Sequence, residues 1–489
     1  MKSILLCVSL IVITNIATAQ NAYEALRYSQ TFPSGTARGQ AVGGAFGALG
    51  ADMTSASINP GGLGVYRNSE ATLSVNLNAT NSLSNFGGNN TNQMKLNFNS
   101  PNFGVVINKM YEDKRGNRSR GKWVATNFAF SMTQHANFNT KRFYENNVDA
   151  QSLLPELASE LNGLRPGNID YGSAGFESVL AYAGYLINPI EDDTLTYNTV
   201  VDGKQIGKQV AINSSGRNNE LAFSLATNYD NKIYFGATIG IPLISYSENV
   251  LYAEYDVNNT IAEFNDYEIE KRIRTSGGGV NLKLGAVYRV ADWLRLGTAL
   301  HTPSYIRLKD TYSSNIFSNF DTINYQAESP DGSFKYKMLT PWRGVASAAF
   351  LIKQYGFISV DYEYADYRNS RFSFDNEFQA YETSLNKTID NTLNISHTIR
   401  AGAEAVIKDF RLRGGYNIST NPFSTAYQIY NDRFFQSVSG GMGYRGKQFS
   451  LDFAYVRSVN DNPILLANTV VSSDRITRDN FILTFGLRF

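Results

Sequence analysis

The last ten residues alternate between apolar side chains and small or polar ones. The apolar face consists of Phe481, Leu483, Phe485, Leu487 and Phe489. Ile482 is the one large apolar residue on the other face. Successive side chains of a β-strand point to opposite faces, and ten residues match one strand that crosses a membrane. The pattern therefore predicts a membrane-spanning strand that ends on an aromatic residue.

The same alternation recurs upstream, most clearly at 233–239, 282–288, 358–364, 410–416 and 449–455. A series of such segments is typical of an outer-membrane β-barrel, whereas one segment would also fit a soluble sandwich. We predict fourteen strands, at 71–80, 93–108, 122–138, 218–229, 232–247, 277–290, 293–307, 337–352, 355–368, 395–407, 410–419, 432–445, 448–459 and 478–489. The predicted fold is therefore all-β and transmembrane, a 14-stranded antiparallel barrel over 71–489.

The predicted connections alternate between short and long. The short ones lie at 230–231, 291–292, 353–354, 408–409 and 446–447. The long ones are 81–92, 139–217, 248–276, 308–336, 369–394, 420–431 and 460–477. Barrels of this class have short periplasmic turns and long extracellular loops. The end with the short turns is thus predicted to face the periplasm, together with one longer turn at 109–121.

The N-terminus is typical of a secretory signal peptide. Lys2 precedes an apolar stretch at 4–16, and Ala17-Thr18-Ala19 forms a small-residue cleavage site. The apolar stretch is shorter than the ~20 residues that a spanning helix needs. We predict a signal peptide at 1–19 whose cleavage removes Cys7, the only cysteine. The expected location is the cell outer membrane of a diderm bacterium.

The composition agrees with a membrane barrel. Charged residues make up 18%, and Phe and Tyr number 30 each. Aromatic girdles at the two membrane interfaces explain this abundance, although ordinary strand propensity also favours aromatics. Lys and Arg number 44 against 43 Asp and Glu, which argues against a nucleic-acid-binding protein.

Residues 20–70 precede the first predicted strand and are rich in small side chains. They lack the spacing and the βαβ context of a phosphate-binding loop. Because small residues let a backbone lie close to a wall, we predict a compact plug inside the lumen. The residues expected to shape it are Gly43, Gly44, Gly47, Gly50, Asn59, Pro60 and Gly61.

Three motifs of this segment resemble the N-terminal hatch of the FadL family of outer-membrane transporters for long-chain fatty acids and other hydrophobic compounds. They are Gly35-Thr36-Ala37-Arg38, Gly43-Gly44-Ala45-Phe46 and Asn59-Pro60-Gly61-Gly62-Leu63. The family usually has Ala where this chain has Gly61. Thr340-Pro341-Trp342-Arg343 and Arg400-Ala401-Gly402-Ala403-Glu404 are similar to later segments of the family. The resemblance implies a 14-stranded barrel with a hatch at 20–70.

The resemblance also implies a mechanism. An apolar ligand enters from an extracellular groove, reaches a pocket in the barrel, and leaves through a gap in the wall after the hatch moves. The family forms this gap at a kink in the third strand, so Asn59, Pro60 and Gly61 are expected near 122–138. No energy source is required, because a hydrophobic ligand moves down its gradient into the bilayer.

The long loop at 139–217 contains a stripe of leucines at helical spacing, followed by an apolar run at 179–187. The two pieces either pack on each other as a loop core or form an outward groove that first captures ligand. The second interpretation assigns ligand binding to Leu153, Leu157, Leu161, Leu180 and Leu186.

Several charged residues fall on predicted inward faces, namely Arg289, Arg295, Asp361, Glu363, Arg400, Glu404, Arg411 and Arg413. Unpaired charges in a tight lumen are costly, so an ion-pair network between wall and hatch is the favoured interpretation. A ligand carboxylate could instead use an arginine, and Arg400 and Arg411 are the candidates.

Catalytic and metal-binding patterns are weak. His135, His301 and His397 lack metal-ligand spacing, and no Gly-x-Ser-x-Gly elbow occurs. A Ser/His pair across strands stays open. We predict a monomeric non-enzyme without metal or cofactor, whose partners are outer-membrane lipid, a hydrophobic small molecule and, during biogenesis, the barrel assembly machinery. The alternatives are a PorV-like cargo-binding scaffold in protein secretion and a structural or adhesin barrel.

Overall fold

The structure is a computed structural model that describes residues 21–111, 122–149, 151–201, 203–424, 435–466 and 469–489. The predicted signal peptide at 1–19, most of the turn at 109–121 and part of the loop at 420–431 lie outside the described residues. In the part of the chain that is described, no helix is both long and apolar enough to cross a membrane.

The secondary structure is mostly β. The α-helices are α1 (Ala22–Ser29), α2 (Ala37–Ala41), α3 (Ser55–Ile58), α4 (Leu154–Leu161), α5 (Phe176–Ala183) and α6 (Gln379–Thr392). Short 3-10 helices lie at Pro60–Val65, Pro166–Asn168, Tyr367–Asn369 and Asn376–Phe378. The first half of the strands comprises β1 (Glu70–Phe86), β2 (Asn89–Met110), β3 (Trp123–Asn137), β4 (Thr140–Asp149), β5 (Ile187–Ile190), β6 (Asp193–Thr199), β7 (Ile206–Tyr229), β8 (Ile233–Tyr255), β9 (Phe264–Ala291) and β10 (Leu294–His301). The second half comprises β11 (Tyr305–Phe320), β12 (Asn324–Glu328), β13 (Gly332–Leu339), β14 (Arg343–Ile352), β15 (Gly356–Asp366), β16 (Arg371–Ser373), β17 (Ile395–Ile407), β18 (Phe410–Ser419), β19 (Phe435–Arg445), β20 (Phe449–Leu466) and β21 (Thr469–Arg488).

The sheet closes on itself, because β21 pairs antiparallel with both β20 and β1. The wall is formed, in order, by β1, β2, β3, β7, β8, β9, β10, β14, β15, β17, β18, β19, β20 and β21. This closed antiparallel barrel confirms the predicted fourteen strands. Closure leaves no free sheet edge, which is the condition for a β-structure to span a membrane.

Side-chain exposure follows the predicted alternation. In β21, Phe485 is 48% exposed, whereas its neighbour Thr484 is 3% exposed. The exception, Ile482, points inward and packs against Ala37 and Ala41 of α2. The outward apolar residues of all fourteen strands therefore form a surface suited to lipid, and the inward faces carry small and polar residues.

The two ends of the barrel differ as predicted, with one correction. All five predicted short turns connect neighbouring wall strands. Most of the long connection predicted at 81–92 is strand instead, because β1 and β2 pair up to Phe86 and Asn89 around Gly87 and Gly88. The same is true of much of 248–276, 308–336 and 460–477. Above the membrane, Ser, Asn and Thr continue the ladder without the apolar alternation that marks a spanning strand.

Two predicted continuous strands, 293–307 and 337–352, are each broken at a proline. Pro303 lies between β10 and β11, and Pro341 lies between β13 and β14. Proline cannot donate a ladder hydrogen bond, so an interior strand is interrupted there. Threonine side chains repair the ladder. The backbone N–H of Ser304 donates to Thr340 Oγ1 (2.8 Å), and that of Leu282 donates to Thr302 Oγ1 (3.0 Å).

Candidate functional site

The N-terminal segment, which we define as residues 21–66, lies against the inward faces of the wall strands. Its α1 packs with β8, β11, β13 and α6 in an apolar cluster towards the end opposite the short turns. Its α2 contacts β18 to β21, and its 3-10 helix Pro60–Val65 contacts β7, β8 and β9. The segment thus occupies the lumen along its length.

Gly47 lies where the segment meets β15. Oδ2 of Asp361 accepts hydrogen bonds from the backbone N–H of Phe46 (2.9 Å) and of Gly47 (2.8 Å). A Cβ at Gly47 would lie 2.0 Å from Ser347 Oγ, and a Cβ at Gly297 would lie 2.3 Å from the carbonyl oxygen of Gly47. Glycine is therefore required at Gly297, where the obstacle is backbone, whereas a side chain at Gly47 would force the Ser347 hydroxyl to move.

Gly43 makes a similar approach to β18. It has φ +67, and its backbone N–H donates to Ser439 Oγ at 3.0 Å. A Cβ at Gly415 of the wall would lie 2.1 Å from the nitrogen of Gly43. Gly44 and Gly50 also have positive φ, +77 and +81. The glycines expected to shape the plug are thus the places where the segment turns or touches the wall.

Asn59, Pro60 and Gly61 lie against β8 and β9. Nδ2 of Asn59 donates to the carbonyl oxygens of Gly47 (2.6 Å) and Ala286 (3.0 Å), and its Oδ1 accepts from the N–H of Gly61 (3.0 Å). These contacts differ from the placement near 122–138 that the resemblance implies. Strand β3 is contacted by the residues on either side of this motif, by α3 before it and by Leu63 after it, whose carbonyl oxygen accepts from Asn127 Nδ2 at 2.8 Å.

The reason for this difference lies in the wall. Gly236 of β8 and Gly285 of β9 face Pro60 and Asn59, and a Cβ at either glycine would lie 2.2 Å or less from the segment. The backbone can approach β8 and β9 because neither residue has a side chain there. The sequence does not identify these wall glycines as part of the site, because a glycine in an alternating strand does not show which residue of the lumen packs against it.

Two small cavities lie between the N-terminal segment and the wall. One, of about 80 Å³, is lined by charged residues that include Glu220, Lys283 and Arg400. The other, of about 100 Å³, is lined by Phe32 and Pro33 of the segment and by residues of the wall such as Gln134. Each has room for a few water molecules and not for a hydrocarbon chain.

The ladder between β2 and β3 ends partway along β2. Their ladder runs from Met110–Ala125 to Asn102–Thr133, and the described part of β2 from 89 to 101 pairs with β1 alone. Beyond the last ladder pair, Nδ2 of Asn99 donates to Oε1 of Gln134 at 2.7 Å. Both residues also line the cavity of about 100 Å³. A side-chain hydrogen bond therefore closes the wall here, where backbone pairing has stopped.

A bulge lies at the same level of β3. The β3–β7 register shifts between Gln134 and Ala136, which leaves His135 as the extra residue. The carbonyl oxygen of His135 accepts from the N–H of Phe32 (3.0 Å), and its Nε2 lies 3.3 Å from Oε1 of Glu220. The bulge thus joins the third wall strand to the N-terminal segment directly beside the break.

The predicted inward charges are mostly paired. Arg400 Nη2 lies 2.7 Å from Glu363 Oε2, and Arg413 Nε lies 2.6 Å from Glu404 Oε2. Arg295 donates to the carbonyl oxygen of Leu49 at 2.7 Å. These contacts support the network that joins wall and segment. Arg289 is different, because it pairs with Asp292 at the rim of the barrel.

The two arginines considered for a ligand carboxylate are not brought together. Arg400 lines the cavity of about 80 Å³, beside its partner Glu363. Arg411 lies at the short-turn end, where its Nη1 donates to the carbonyl oxygens of Lys408 (2.7 Å) and Phe410 (2.9 Å). One carboxylate group cannot contact both, so ligand binding by either stays a prediction.

The leucines of the long loop form a closed core. Leu157, Leu161, Leu180 and Leu186 are buried together, and Leu153 packs against them from the edge. Residues of β9 and β11, such as Phe264 and Ile316, complete the core. The first of the two interpretations of this loop therefore describes the structure. An open groove made of these side chains is absent from the described loop, and ligand contact by them stays a prediction.

An aromatic cluster in the mouth opposite the short turns was not expected from the sequence. The rings of Phe334 and Phe374 lie 5.5 Å apart, and those of Phe374 and Tyr381 lie 5.3 Å apart. Helix α6 covers the cluster, and Tyr23 of α1 contacts Phe423 on its other side (4.8 Å). These residues come from four separate segments, so no local pattern reveals that they meet.

Solved structures with the same architecture were found. A FadL homologue from Pseudomonas aeruginosa superposes with a TM-score of 0.56 at 13% identity, over 94% of this chain and 99% of that one. The toluene transporter TodX of Pseudomonas putida gives 0.53 at 11% identity, over 94% and 100%. No family model and no curated protein matches the sequence. The chain therefore has the FadL-type fold, as the motifs of its first seventy residues predicted.

Proposed function

We propose that this protein is a passive outer-membrane transporter for hydrophobic small molecules, fatty-acid-like or aromatic. The observation that carries the proposal is the end of the β2–β3 ladder at Asn102–Thr133, beside a cavity that also contacts the N-terminal segment. A break in the wall at this level offers a lateral way from the lumen into the bilayer. The FadL-type fold, shared with the toluene transporter TodX, supports the same assignment.

The proposed path begins at the aromatic cluster around Phe374 and Tyr381. Partly buried rings offer apolar contact to a hydrophobic ligand as it leaves water. The N-terminal segment acts as a hatch, because it fills the lumen between this cluster and the break. Its movement enlarges the cavity beside Gln134, and the ligand then passes between β2 and β3 into lipid. Transfer into lipid is downhill for an apolar molecule.

The experiment is uptake in a diderm host that lacks its own transporter for long fatty acids. Cells that express the chain are compared with cells carrying the empty vector, using radiolabelled oleate, toluene and, as a polar control, glucose. The proposal predicts faster accumulation of oleate or toluene and unchanged accumulation of glucose. The proposal is contradicted if oleate and toluene both accumulate no faster than in cells with the empty vector while the folded barrel is present in the outer membrane.

The same assay separates the alternative of a cargo-binding scaffold in protein secretion. A scaffold holds its cargo by surface loops and does not require a break in the wall. The scaffold alternative therefore predicts uptake at the level of the empty vector. It also predicts loss of a secreted protein from the medium when the chain is deleted from its native host.

A further inference from the structure

The short-turn end of the barrel holds a cleft of about 530 Å³. Its basic lining residues are Arg38, Arg67, Arg411, Arg445 and Arg488. The acidic residues that line it are Glu70 and Glu404. Arg38 and Arg67 belong to or directly follow the N-terminal segment, and the other three arginines belong to the wall. The cleft thus has an excess of guanidinium groups and lies where segment and wall meet.

The two glutamates are already engaged. Glu70 Oε2 lies 3.2 Å from Arg488 Nε. Glu404 Oε2 lies 3.6 Å from Arg38 Nε and 2.6 Å from Arg413 Nε, so one carboxylate serves two arginines. Glu70, Glu404 and Asp452 also attract Arg445 from a longer distance, but two glutamates do not balance the charge of five arginines in the cleft.

Three of the arginines have no carboxylate partner among the residues that the structure describes. Arg411 donates to backbone carbonyls at the turn, and Arg67 donates to the side-chain oxygen of Asn231. Arg445 is half-buried at the end of β19 and lines the same cleft. Guanidinium groups held close together repel one another unless an anion lies between them.

Two buried donors in the cleft also lack acceptors. The hydroxyl of Tyr66, a residue only 3% exposed, has no hydrogen-bond partner in the described structure, and neither has Nε of Arg38. Buried donors without an acceptor are rare because leaving them unpaired costs free energy. An oxygen-rich anion in the cleft would supply countercharge to Arg445. Rotation of the Tyr66 or Arg38 side chain towards the cleft would let the same anion accept their hydrogen bonds.

We propose that this cleft binds an oxyanion, a phosphate or a carboxylate group, between the N-terminal segment and the wall. Such a group accepts charge-assisted hydrogen bonds from several arginines at once. It holds the periplasmic end of the segment in place, because its donors come from both sides of the contact. The site lies apart from the apolar path and does not depend on which cargo the barrel carries.

The test is calorimetric titration of the purified full-length barrel in detergent with inorganic phosphate, at constant ionic strength so that screening does not change. The variants are Arg445→Gln and Tyr66→Phe. Lys447→Gln is the matched control, because Lys447 is an exposed cation in the neighbouring turn that does not line the cleft. Heat-modifiable migration in gels verifies that each variant is folded.

We expect the dissociation constant for phosphate to rise about tenfold or more in Arg445→Gln and about threefold in Tyr66→Phe, with Lys447→Gln unchanged. A second titration uses dihexanoyl phosphatidate below its micelle concentration. Tighter binding of this probe than of phosphate identifies a lipid headgroup as the source, and equal binding identifies the free ion. No phosphate binding, or equal loss in Arg445→Gln and Lys447→Gln, overturns the proposal.

Discussion

The carboxylate of Asp361 on β15 accepts the backbone N–H of Gly47 at 2.8 Å and that of Phe46 at 2.9 Å. One wall side chain thus fixes the middle of the N-terminal segment from inside the barrel. A side chain at Gly47 would force the Ser347 hydroxyl to move, because a Cβ there would lie 2.0 Å from Ser347 Oγ. The segment is held by directed hydrogen bonds as well as by packing, and a few of them can be removed singly.

Replacing Asp361 by Ala leaves two buried N–H groups without an acceptor. We expect the segment to detach locally at a cost of about 2–6 kcal/mol, since each of the two unpaired buried donors costs roughly 1–3 kcal/mol. Hydrogen–deuterium exchange of the peptide over 42–50 should accelerate while the wall strands keep their protection. Asp361→Asn retains an acceptor oxygen and should restore part of the protection. Unchanged exchange in Asp361→Ala would show that packing alone holds the segment.

Gly285 of β9 leaves the space that the side chain of Asn59 occupies. A Cβ at Gly285 would lie 2.0 Å from Asn59 Oδ1, so Gly285→Ala should displace Asn59 and Pro60 from β9. We expect uptake of oleate or toluene to change by severalfold, as it should in Asn59→Ala or Pro60→Ala, with the barrel assembled. Gly414→Ala is the control, since Gly414 is exposed and a Cβ there meets nothing within 4 Å. Uptake that is equal in Gly285→Ala and Gly414→Ala would contradict a role of this contact in transport.

The docking of α1 should depend on pH through Glu24. Burial raises the pKa of Glu24 to about 8, although Arg27 acts in the opposite direction; Asp310 and Glu248 raise it further. A carboxyl whose pKa is higher in the docked state favours docking while it is protonated. Its contribution is complete below pH ~4.5 and is lost as the pH rises through about 8.

We therefore expect protection factors of the α1 amides to fall between pH 5 and 9, approximate limits set by the docked and free pKa values. The Glu24→Gln variant stays neutral and should show a smaller fall over the same range. An equal fall in both proteins would contradict the assignment of this pH dependence to Glu24.

The sequence predicts the wall better than the lumen. Alternation marks strands such as β8, β15 and β21 clearly because one face must meet lipid, and the FadL resemblance contributed to the bounds of others. Even the exception at Ile482 has a local cause, its contact with Ala37 and Ala41. The ladder beyond the membrane at Phe86 and Asn89 was taken for a loop, because water on both sides removes the alternation. Alternation therefore indicates where one face of a strand meets lipid, and it does not indicate where the backbone hydrogen bonds of the strand end.

The inner site depends on residues that are distant in the sequence. Gly236 and Gly285 decide where Asn59 lies, and the aromatic cluster joins Tyr23, Phe374 and Phe423. No spacing rule connects these positions, since they meet only after the barrel closes. The resemblance of the hatch motif predicted the fold. It also implied that Asn59 lies near β3, whereas the wall glycines of this chain let Asn59 lie against β8 and β9.

Lateral release between β2 and β3 is tested most directly by cross-linking the break. Asn99→Cys/Gln134→Cys is treated with a short bifunctional maleimide, and Phe103→Cys/Met132→Cys, a pair already opposed within the ladder, is the control. Cys7, the only native cysteine, lies in the predicted signal peptide. Mass spectrometry measures the cross-linked fraction, and uptake of oleate and toluene is measured before and after. For the Asn99→Cys/Gln134→Cys pair, uptake is predicted to fall in proportion to the cross-linked fraction, reaching about tenfold when cross-linking is nearly complete. For the Phe103→Cys/Met132→Cys pair, uptake is predicted to stay unchanged. Full uptake with the Asn99→Cys/Gln134→Cys cross-link complete would contradict lateral release between β2 and β3.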